Sequence, residues 1–281
     1  MGGFSSRYCL YLFSNISRVS PSRPSFRAST LSLATSLGHW KKSTSIPSFS
    51  LSSRPPFLKR ELRLDSVSIV TNGSKLTESF LREHGANLDI LAVSCDSFDE
   101  KTNIAIGRGS GNQVAKLYEI AAWYREYSVL FKLNTVVNRL NVGEAMNAHI
   151  AALRPFRWKC FQVLIVRGEN DSAETLRNAH TFTISDAEFE AFCERHRGQA
   201  CLGLEPNRLM ARSYLILDEY LRFLDRIGKQ PSKPVLEVGV EKALESVYWD
   251  EDAFVERGGL YDWAKPEGEK EGCGGAKELD W

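Results

Sequence analysis

The first 60 residues lack acidic side chains altogether. They contain nine Lys or Arg and no Asp or Glu, and about a quarter of their positions are serine. The rest of the chain holds 27 basic residues (36 − 9) and 35 acidic ones, which gives it a net charge of −8. Because the whole chain carries a net charge of only +1, its composition argues against a polyanionic partner such as nucleic acid.

Long apolar runs and closely spaced cysteines are also missing. No stretch approaches the roughly 18 consecutive apolar residues that a membrane-spanning helix needs. The sequence contains no Ser-His-Asp pattern and no Walker or dinucleotide-binding fingerprint. The six cysteines lie too far apart for a disulfide framework, so reduced thiols and an intracellular protein are expected: Cys9, Cys95, Cys160, Cys193, Cys201 and Cys273.

Residues 1–60 are interpreted as a tail. Their apolar periodicity never persists for more than a few residues, and prolines are scattered among the serines, so no regular structure is predicted there. Arg and Ser enrichment without acids is also typical of an organellar transit peptide, which would make a mitochondrial location possible. Sequence from another exon or from intron read-through is a further alternative.

From Leu64 onward, apolar strands alternate with amphipathic helices. The pattern predicts strands over 67–70, 88–93, 129–137 and 158–166, and helices over 74–85, 112–127 and 144–153, with a further helix capped by Asp186. Strands this apolar, alternating with helices, predict an α/β fold whose parallel sheet forms a barrel or a doubly wound sheet. The alternation is lost from Glu205, so residues 205–281 are predicted to be a C-terminal extension.

Polar side chains near the predicted strand ends indicate an anion site, since ligands of parallel α/β folds bind at the carboxyl ends of the strands. Lys132 and Asn134 share one side of their strand, as do Arg157 and Lys159, because side chains alternate along a strand. These cations would suit a polyphosphate, although ordinary surface charges fit the same pattern. Other polar residues at the predicted ends are Asn72, Ser94, Asp96, Ser97 and Asn138.

Two further motifs are weak. The loop Gly107–Gly111 reads GRGSG, which could cradle a phosphate or form an ordinary turn. The residues Cys193, His196 and Cys201 have a C-x2-H-x4-C spacing that could supply three metal ligands. No fourth ligand stands at a suitable distance, so chance placement on a helix end is favoured for this cluster.

Seven stretches resemble the viperin family of radical S-adenosylmethionine (SAM) nucleotide dehydratases, in the family's order and at nearly its spacing. They span residues ~61–281 and read SVSIVTNGS (66–74), LDILAVSCDSFDE (88–100), IGRG (106–109), FKLNTVVNR (131–139), RWKCFQ (157–162), SYLILDEYLRFL (213–224) and LDW (279–281).

The resemblance implies a fold and a reaction. The fold would be a partial (β/α)6 radical-SAM-type barrel over residues 61–204, with the extension 205–281 closing over the nucleotide site. The reaction would convert CTP to 3′-deoxy-3′,4′-didehydro-CTP, a chain terminator of viral polymerases, in antiviral defence. In the family, a [4Fe–4S] cluster donates an electron to SAM, and the resulting radical abstracts the ribose 4′ hydrogen before water is lost.

The resemblance also implies roles for individual residues. Tyr214 matches a tyrosine that delivers a hydrogen atom to the product radical, and Trp281 matches a terminal tryptophan that engages the iron–sulfur assembly machinery. The residues that would hold SAM are Ser94, Arg108 and Asn134. Those that would grip the CTP triphosphate are Lys132, Arg157 and Lys159.

The sequence lacks two elements of the family. It contains neither the C-x3-C-x2-C motif that binds the family's cluster nor the GGEP segment that receives the amino group of SAM. No cluster is therefore expected on this chain as written, and the homologous part begins near Glu61, beyond both elements. The barrel is expected to be truncated at its N-terminus, with residues 1–60 in place of about two strand–helix units and the strand Val67–Val70 left with an unpaired edge.

Two interpretations of the chain follow. It is either an incomplete gene model or splice form of a viperin-type dehydratase, or a catalytically inactive fragment that at most binds a nucleotide or a partner. By family resemblance the protein would be cytoplasmic or associated with the endoplasmic reticulum.

Overall fold

The structure is a computed structural model of the 281-residue chain. It describes residues 10–11, 30–35, 54–61, 63–64, 66–108, 111–165, 170–171, 178–217, 220–224 and 230–256. Trp281, Cys9, Cys273 and the glycine-rich loop before the C-terminus lie outside the described residues.

A parallel sheet of six strands forms the centre of the described part, and its strand order follows the sequence. The strands are β1 (Leu10–Tyr11), β2 (Thr30–Thr35), β3 (Ser66–Thr71), β4 (Ile90–Ser94), β5 (Leu130–Val137), β6 (Arg157–Gln162), β7 (Leu202–Glu205) and β8 (Ile216–Leu217). Strands β2 to β7 form the parallel sheet, while β1 and β8 form a separate antiparallel pair. The predicted α/β class is confirmed, and closure into a partial (β/α)6 barrel stays a prediction.

Helices connect the strands of the sheet and continue beyond it. They are α1 (Arg54–Pro56, followed by a π-helical turn, Phe57–Glu61), α2 (Glu78–His84), α3 (Glu100–Ile106), α4 (Gln113–Glu126), α5 (Asn147–Leu153), α6 (Asp186–His196), α7 (Asn207–Ser213), α8 (Val235–Val238), α9 (Val240–Glu245) and α10 (Glu251–Glu256). Two 3₁₀ turns, Gly85–Asn87 and Ala179–Phe182, are also present. The chain therefore crosses from each parallel strand to the next through helical segments, as parallel pairing requires.

One face of the sheet carries the hydrophobic core. Side chains at alternate positions of β4, β5 and β6 point to this face, and apolar side chains of α2, α4, α5 and α6 cover them. Trp158 and Phe192 meet edge to face, with ring centroids 6.2 Å apart. The strands contribute Val67, Ile69, Leu91, Val93, Phe131, Leu133, Trp158 and Cys160 to this cluster.

The helix predicted over 112–127 is confirmed as α4, but the predicted start of the helix after β3 is wrong by a few residues, because side-chain capping decides it. Thr77, not Ser74, caps α2, and its hydroxyl accepts a hydrogen bond from Phe80 N at 3.3 Å. Ser74 instead donates to the Oδ1 atom of Asn72 in the turn after β3. Gly73 has φ +76° there, and a Cβ atom at this position would approach Ile120 Cδ1 to 2.7 Å, so the turn requires glycine.

Two further predicted starts differ from the structure. Ser185 rather than Asp186 caps α6, where Ser185 and Glu188 form a reciprocal capping box. Helix α5 begins at Asn147, because Glu144 is engaged elsewhere: its carboxylate accepts hydrogen bonds from Ser97 Oγ at 2.6 Å and Phe98 N at 2.7 Å.

The expectation that residues 1–60 contain no regular element is wrong, since β1, β2 and α1 lie there. β2 pairs in parallel with β3 along six residues, so the edge of β3 that was expected to be unpaired has a partner. Leu58 belongs to the core cluster, and Lys59 Nζ lies 2.9 Å from Asp89 Oδ2, the atom that also accepts a hydrogen bond from Val67 N. The boundaries proposed at residues 60 and 204 otherwise stay predictions.

The part that follows β7 builds a second, smaller core. Phe223 and Ala243 are its buried members, and side chains from α8 and α9 pack around them. Trp249 Nε1 donates to the carbonyl oxygen of Ser213 at 3.0 Å, and Arg212 forms an ion pair of 2.6 Å with Asp250, so α7 is tied to the start of α10. Within the described ranges, no helix has both the length and the apolar character to cross a membrane.

Candidate functional site

The face of the sheet opposite the core is polar. The register pairs Ala92 with Lys132 and Lys132 with Arg157, so these three residues form one row across β4, β5 and β6. A second row lies two residues further along the strands and joins Ser94, Asn134, Lys159 and Gly203. Side chains two residues apart on a strand share a face, so both rows project to the same side. The predicted shared faces of Lys132 with Asn134 and of Arg157 with Lys159 are confirmed.

The three cations of this face are buried. Lys132, Arg157 and Lys159 have exposed fractions of 3%, 7% and 1%. Surface charges at strand ends would be solvated, so the alternative that these are ordinary surface residues is wrong. Buried positive charges require anionic or strongly polar partners, because transfer of an isolated charge from water into the protein is costly.

The position of these cations also corrects the sequence analysis. They were expected to converge at the carboxyl end of the sheet, with Lys132 inside its strand and Arg157 and Lys159 on either side of Trp158. In the structure, Arg157 is the first residue of β6, and Lys132 and Lys159 are the third residues of β5 and β6. The cations therefore lie on the sheet surface itself, nearer the amino ends of their strands. Ser94, in contrast, is the last residue of β4 and lies at a carboxyl end.

Glu205 belongs to this site although the sequence analysis gave it no role. Its Oε1 atom forms an ion pair with Lys159 Nζ, and each side chain is only 2% exposed. Gly203 lies beside Lys159 in the register, so Glu205, two residues later, projects to the same face. An acid at the end of an apolar strand was a usable signal, but the strand was missed because β7 has only four residues.

Three buried polar atoms on or beside the sheet have no hydrogen-bond partner. Gln113 Nε2 donates to the carbonyl oxygen of Ser94 at 2.8 Å, but the Gln113 Oε1 atom has no hydrogen-bond partner. The Oδ1 atom of Asn134 and the Oγ atom of Ser68 are also buried without a partner. Such groups are costly in a folded protein unless something pairs with them. These atoms could accept hydrogen bonds from N–H and O–H groups of a ligand.

Arg108 is held beside the polar rows through Asp96. Its Nε atom lies 2.6 Å from Asp96 Oδ2, while Asp96 Oδ1 accepts a hydrogen bond of 2.9 Å from Val136 N. Arg108 follows the C-terminus of α3, where Gly107 adopts a left-handed φ of +87°. Arg108 is thus linked through Asp96 to β5, and its side chain is 23% exposed.

Other polar residues predicted at strand ends stabilise loops. Ser97 N donates to Asn103 Oδ1, and Asn141 Oδ1 accepts from Asn138 N at 2.7 Å. The Asn138 side chain in turn donates to the carbonyl oxygen of Val136. These groups are occupied in turns of the backbone, which explains their position without a ligand.

Tyr214 lies apart from the rows of the sheet in sequence and in element. It follows α7, where its backbone N–H donates to Met210 O at 3.2 Å, and it is 8% exposed. Helix α7 itself is attached to β6, since Asn207 N donates to Gln162 Oε1 at 2.9 Å. The hydrogen-donor role suggested for Tyr214 stays a prediction.

The Cys193, His196 and Cys201 cluster is part of the core. His196 Nε2 accepts a hydrogen bond from Met146 N at 2.9 Å, and its Nδ1 atom lies 2.8 Å from the carbonyl oxygen of Phe192, so both ring nitrogens are engaged. Burial raises the pKa of Cys193 to about 11 and lowers the pKa of His196. The described residues include no group of three or more His, Cys, Asp or Glu that could hold a metal ion.

An open cavity of about 480 Å³ lies beyond the ends of β4 and β5. His149 stacks on Phe98 at its wall, with ring centroids 4.2 Å apart, and accepts or donates a hydrogen bond of 2.8 Å to Tyr118. None of the buried cations lines this cavity. The polar face, with its buried charges, is therefore the better candidate site.

Comparison with known proteins gives a consistent set of relatives, although no family model matches the chain. Over 213 residues the chain is 52% identical to the S-adenosylmethionine-dependent nucleotide dehydratase RSAD2 of Danio rerio, covering 74% of this chain and 59% of that protein. It is 35% identical over 203 residues to the S-adenosylmethionine-dependent nucleotide dehydratase of Flammeovirga pacifica, covering 70% of this chain and 68% of the relative.

A solved structure with a weaker likeness is a domain of pyruvate-formate lyase-activating enzyme from Bacteroides vulgatus. The two share 12% identity with a TM-score of 0.38, over 53% of this chain and 90% of the other, which is too weak to define the fold. The chain spans 59% to 61% of the length of the RSAD2 proteins of Danio rerio, Oncorhynchus mykiss and Siniperca chuatsi that it matches.

Proposed function

The chain belongs to the family of S-adenosylmethionine-dependent nucleotide dehydratases, and we propose that the polar face of its sheet binds CTP through the triphosphate. The reaction proposed for the site is that of a viperin-type enzyme, the conversion of CTP to 3′-deoxy-3′,4′-didehydro-CTP. The observation that carries this proposal is the burial of Lys132, Arg157 and Lys159 on one face of two neighbouring strands.

The chemistry of these side chains suits a triphosphate. The guanidinium of Arg157 presents a planar fork of donors that matches two phosphate oxygens, whereas each lysine supplies a compact charge with three donors. Neighbouring parallel strands lie about 4.8 Å apart, so Lys132 and Arg157 can contact adjacent phosphates of one chain. Charge-assisted hydrogen bonds to phosphate are about twice as strong as neutral ones.

The residues suggested for SAM also fit that molecule. The free Asn134 Oδ1 and Gln113 Oε1 acceptors, beside the carboxyl end of β4, could receive hydrogen bonds from its ammonium, adenine amino or ribose hydroxyl groups. Ser94 and Arg108 would complete the set, with Arg108 oriented by Asp96. When bound and given one electron by a reductant, SAM would supply the radical chemistry that activates the ribose.

An iron–sulfur cluster does not fit the described residues. A cluster takes thiolate ligands from neighbouring cysteines, but burial raises the pKa of the thiols of Cys95, Cys160, Cys193 and Cys201. Such thiols stay protonated at neutral pH, and none of them belongs to a group that could hold a metal.

This disagreement favours a second candidate function, that of a nucleotide-binding module without dehydratase activity. Both candidates require the triphosphate site, and they differ only in whether SAM is cleaved. Tyr214 has a role only in the first, where its phenolic hydrogen would be transferred to the product radical.

Titration of the full chain with CTP tests the proposal. Lys132→Ala and Arg157→Ala should each remove a charge-assisted contact and weaken binding by about 1.5–3 kcal/mol, which corresponds to roughly 10- to 150-fold in Kd. Lys101→Ala, a charge change on the exposed surface of α3, is the matched control and should leave Kd unchanged. CTP affinity that is equal in all three variants and the unaltered chain would place the nucleotide site elsewhere.

A further inference from the structure

The ion pair between Lys159 and Glu205 lies at the β7 side of the proposed triphosphate site. The two residues are 46 positions apart in the sequence, and both side chains are 2% exposed. Of the four charged side chains named on this face, Glu205 is the one anion beside three cations. It therefore sits where a phosphate oxygen would find a lysine ammonium.

A buried pair of this kind contributes to the fold mainly by avoiding a penalty. Removing water from both ions costs about as much as their attraction returns, whereas an ammonium buried without its carboxylate is strongly unfavourable. In the absence of a nucleotide, Glu205 thus keeps Lys159 in an acceptable environment on the polar face. A phosphate group could serve as the anionic partner of Lys159 in place of Glu205.

We propose that Glu205 is an internal counter-ion that competes with the nucleotide for Lys159. When a phosphate oxygen binds the Lys159 ammonium, the Glu205 carboxylate moves away from it. Glu205 therefore stabilises the nucleotide-free chain and weakens nucleotide binding. This inference rests on the proposed function and assigns one residue that controls the affinity of that site.

Two physical features support exchange over a shared arrangement. A carboxylate and a phosphate next to one buried ammonium would repel each other strongly, because few water molecules screen them there. The lysine side chain ends in a freely rotating ammonium on a flexible stem, so it can turn from one acceptor to the other at little cost. Gly203, beside Lys159 in the register, has no side chain that would restrict this movement; an added Cβ atom would lie 3.4 Å from Arg157 Nε and 3.8 Å from Lys159 Cγ.

The test is calorimetric titration of the full chain with CTP and, separately, with inorganic tripolyphosphate. Glu205→Gln keeps the shape of the side chain and removes its charge, and it should tighten binding of both ligands about tenfold or more. In a Lys159→Gln background, the same Glu205→Gln change should have little effect, because the competition needs the ammonium. Glu190→Gln, on the exposed surface of α6, is the matched control.

A thermal melt gives a second readout. Without ligand, Glu205→Gln should lower Tm relative to the unaltered chain, and saturating CTP should narrow that gap because phosphate replaces the missing carboxylate. Glu205→Asp, which keeps the charge but shortens its reach, should lie between the two in both measurements. This variant keeps the comparison informative if Glu205→Gln folds poorly.

The outcomes separate the inference from the proposed function. If the unaltered chain binds CTP and Lys132→Ala weakens that binding, but Glu205→Gln leaves it unchanged or weakens it, the competition is disproved while the nucleotide site stands. Weaker binding in Glu205→Gln would indicate that the carboxylate orients Lys159 toward the phosphate. Absence of binding of either ligand to the unaltered chain would overturn both proposals.

Discussion

The two faces of the parallel sheet are built from the same strands and have opposite chemistry. On one face, Trp158 and Phe131 lie in a core covered by helices, at exposed fractions of 0% and 1%. On the other face, their neighbours in sequence, Lys159 and Lys132, are nearly as well buried but charged. Burial of the first face is stabilised by apolar contacts, whereas burial of the second face requires paired charges. Burial alone therefore does not distinguish a core from a binding site in this protein.

The sharpest test of this contrast compares Trp158→Ala with Asn134→Ala. Trp158→Ala should lower the free energy of unfolding by about 3–5 kcal/mol, because it leaves a cavity beside Phe192 and His196. It also removes the hydrogen bond that the indole N–H donates to Thr135 Oγ1. Asn134→Ala should leave it nearly unchanged, since its Oδ1 atom has no partner to lose. Urea unfolding measures both, and equal losses would contradict the distinction between the faces.

Removal of the edge strand β2 affects both faces, because the two faces share the backbone of the sheet. Deleting residues 1–53 removes β2 and leaves the N–H and C=O groups of β3 unpaired along that edge, so the shortened chain should self-associate. Size-exclusion chromatography with light scattering detects this change.

Deletion of residues 1–28 is the matched control. Like the longer deletion, it removes β1, but it keeps β2 (Thr30–Thr35). The chain without residues 1–28 should therefore stay as monomeric as the full chain. If both shortened chains run as monomers, β2 is not what protects the edge of β3.

The smallest expected effect comes from His196, a titratable residue within the apolar face. Burial, with a further contribution from Arg195, lowers the pKa of His196 below its ordinary value. The unfolded chain therefore binds a proton at this site at a pH where the folded chain does not. Stability from the neutral ring is present above the unfolded pKa of about 6.5 and is lost as pH falls below it.

Unfolding experiments between pH 5 and pH 8, a range of about one and a half units on each side of that value, check the His196 prediction. Between pH 8 and pH 5, the free energy of unfolding of His196→Gln should fall by less than that of the unaltered chain, each measured relative to its own value at pH 8. His180→Gln, a change in an exposed histidine, should retain the full pH dependence. A pH profile of His196→Gln that matches the unaltered chain would show that other groups carry the acid sensitivity.

Much of the sheet could be predicted from local pattern. The apolar runs around Val67, Leu91, Leu133 and Trp158 gave four strands in the right order, because a buried parallel strand is apolar over its whole length. Alternation along β5 and β6 placed each pair of polar side chains on a common face, which depends only on spacing within one strand. The family resemblance added roles for those side chains that spacing cannot provide.

Elements that are short or capped were missed. Helix α3 has seven residues and no long apolar stripe, and its start depends on Asp99 accepting hydrogen bonds from Thr102. Strand β7 has four residues, too few for a periodic signal. β2 lies in serine-rich sequence, so its composition does not predict a strand. The strand forms through hydrogen bonds to β3.

The sequence by itself determined the class of fold, the faces of β5 and β6, and the family. Tertiary structure alone decided that the cations are buried, that Arg108 is held by Asp96, and that Lys159 meets Glu205. The physical reason is that alternation is a property of one strand, whereas an ion pair between strands depends on which strands are neighbours and in which register. That choice is made when the sheet assembles, by the burial of its apolar face under α4 and α6.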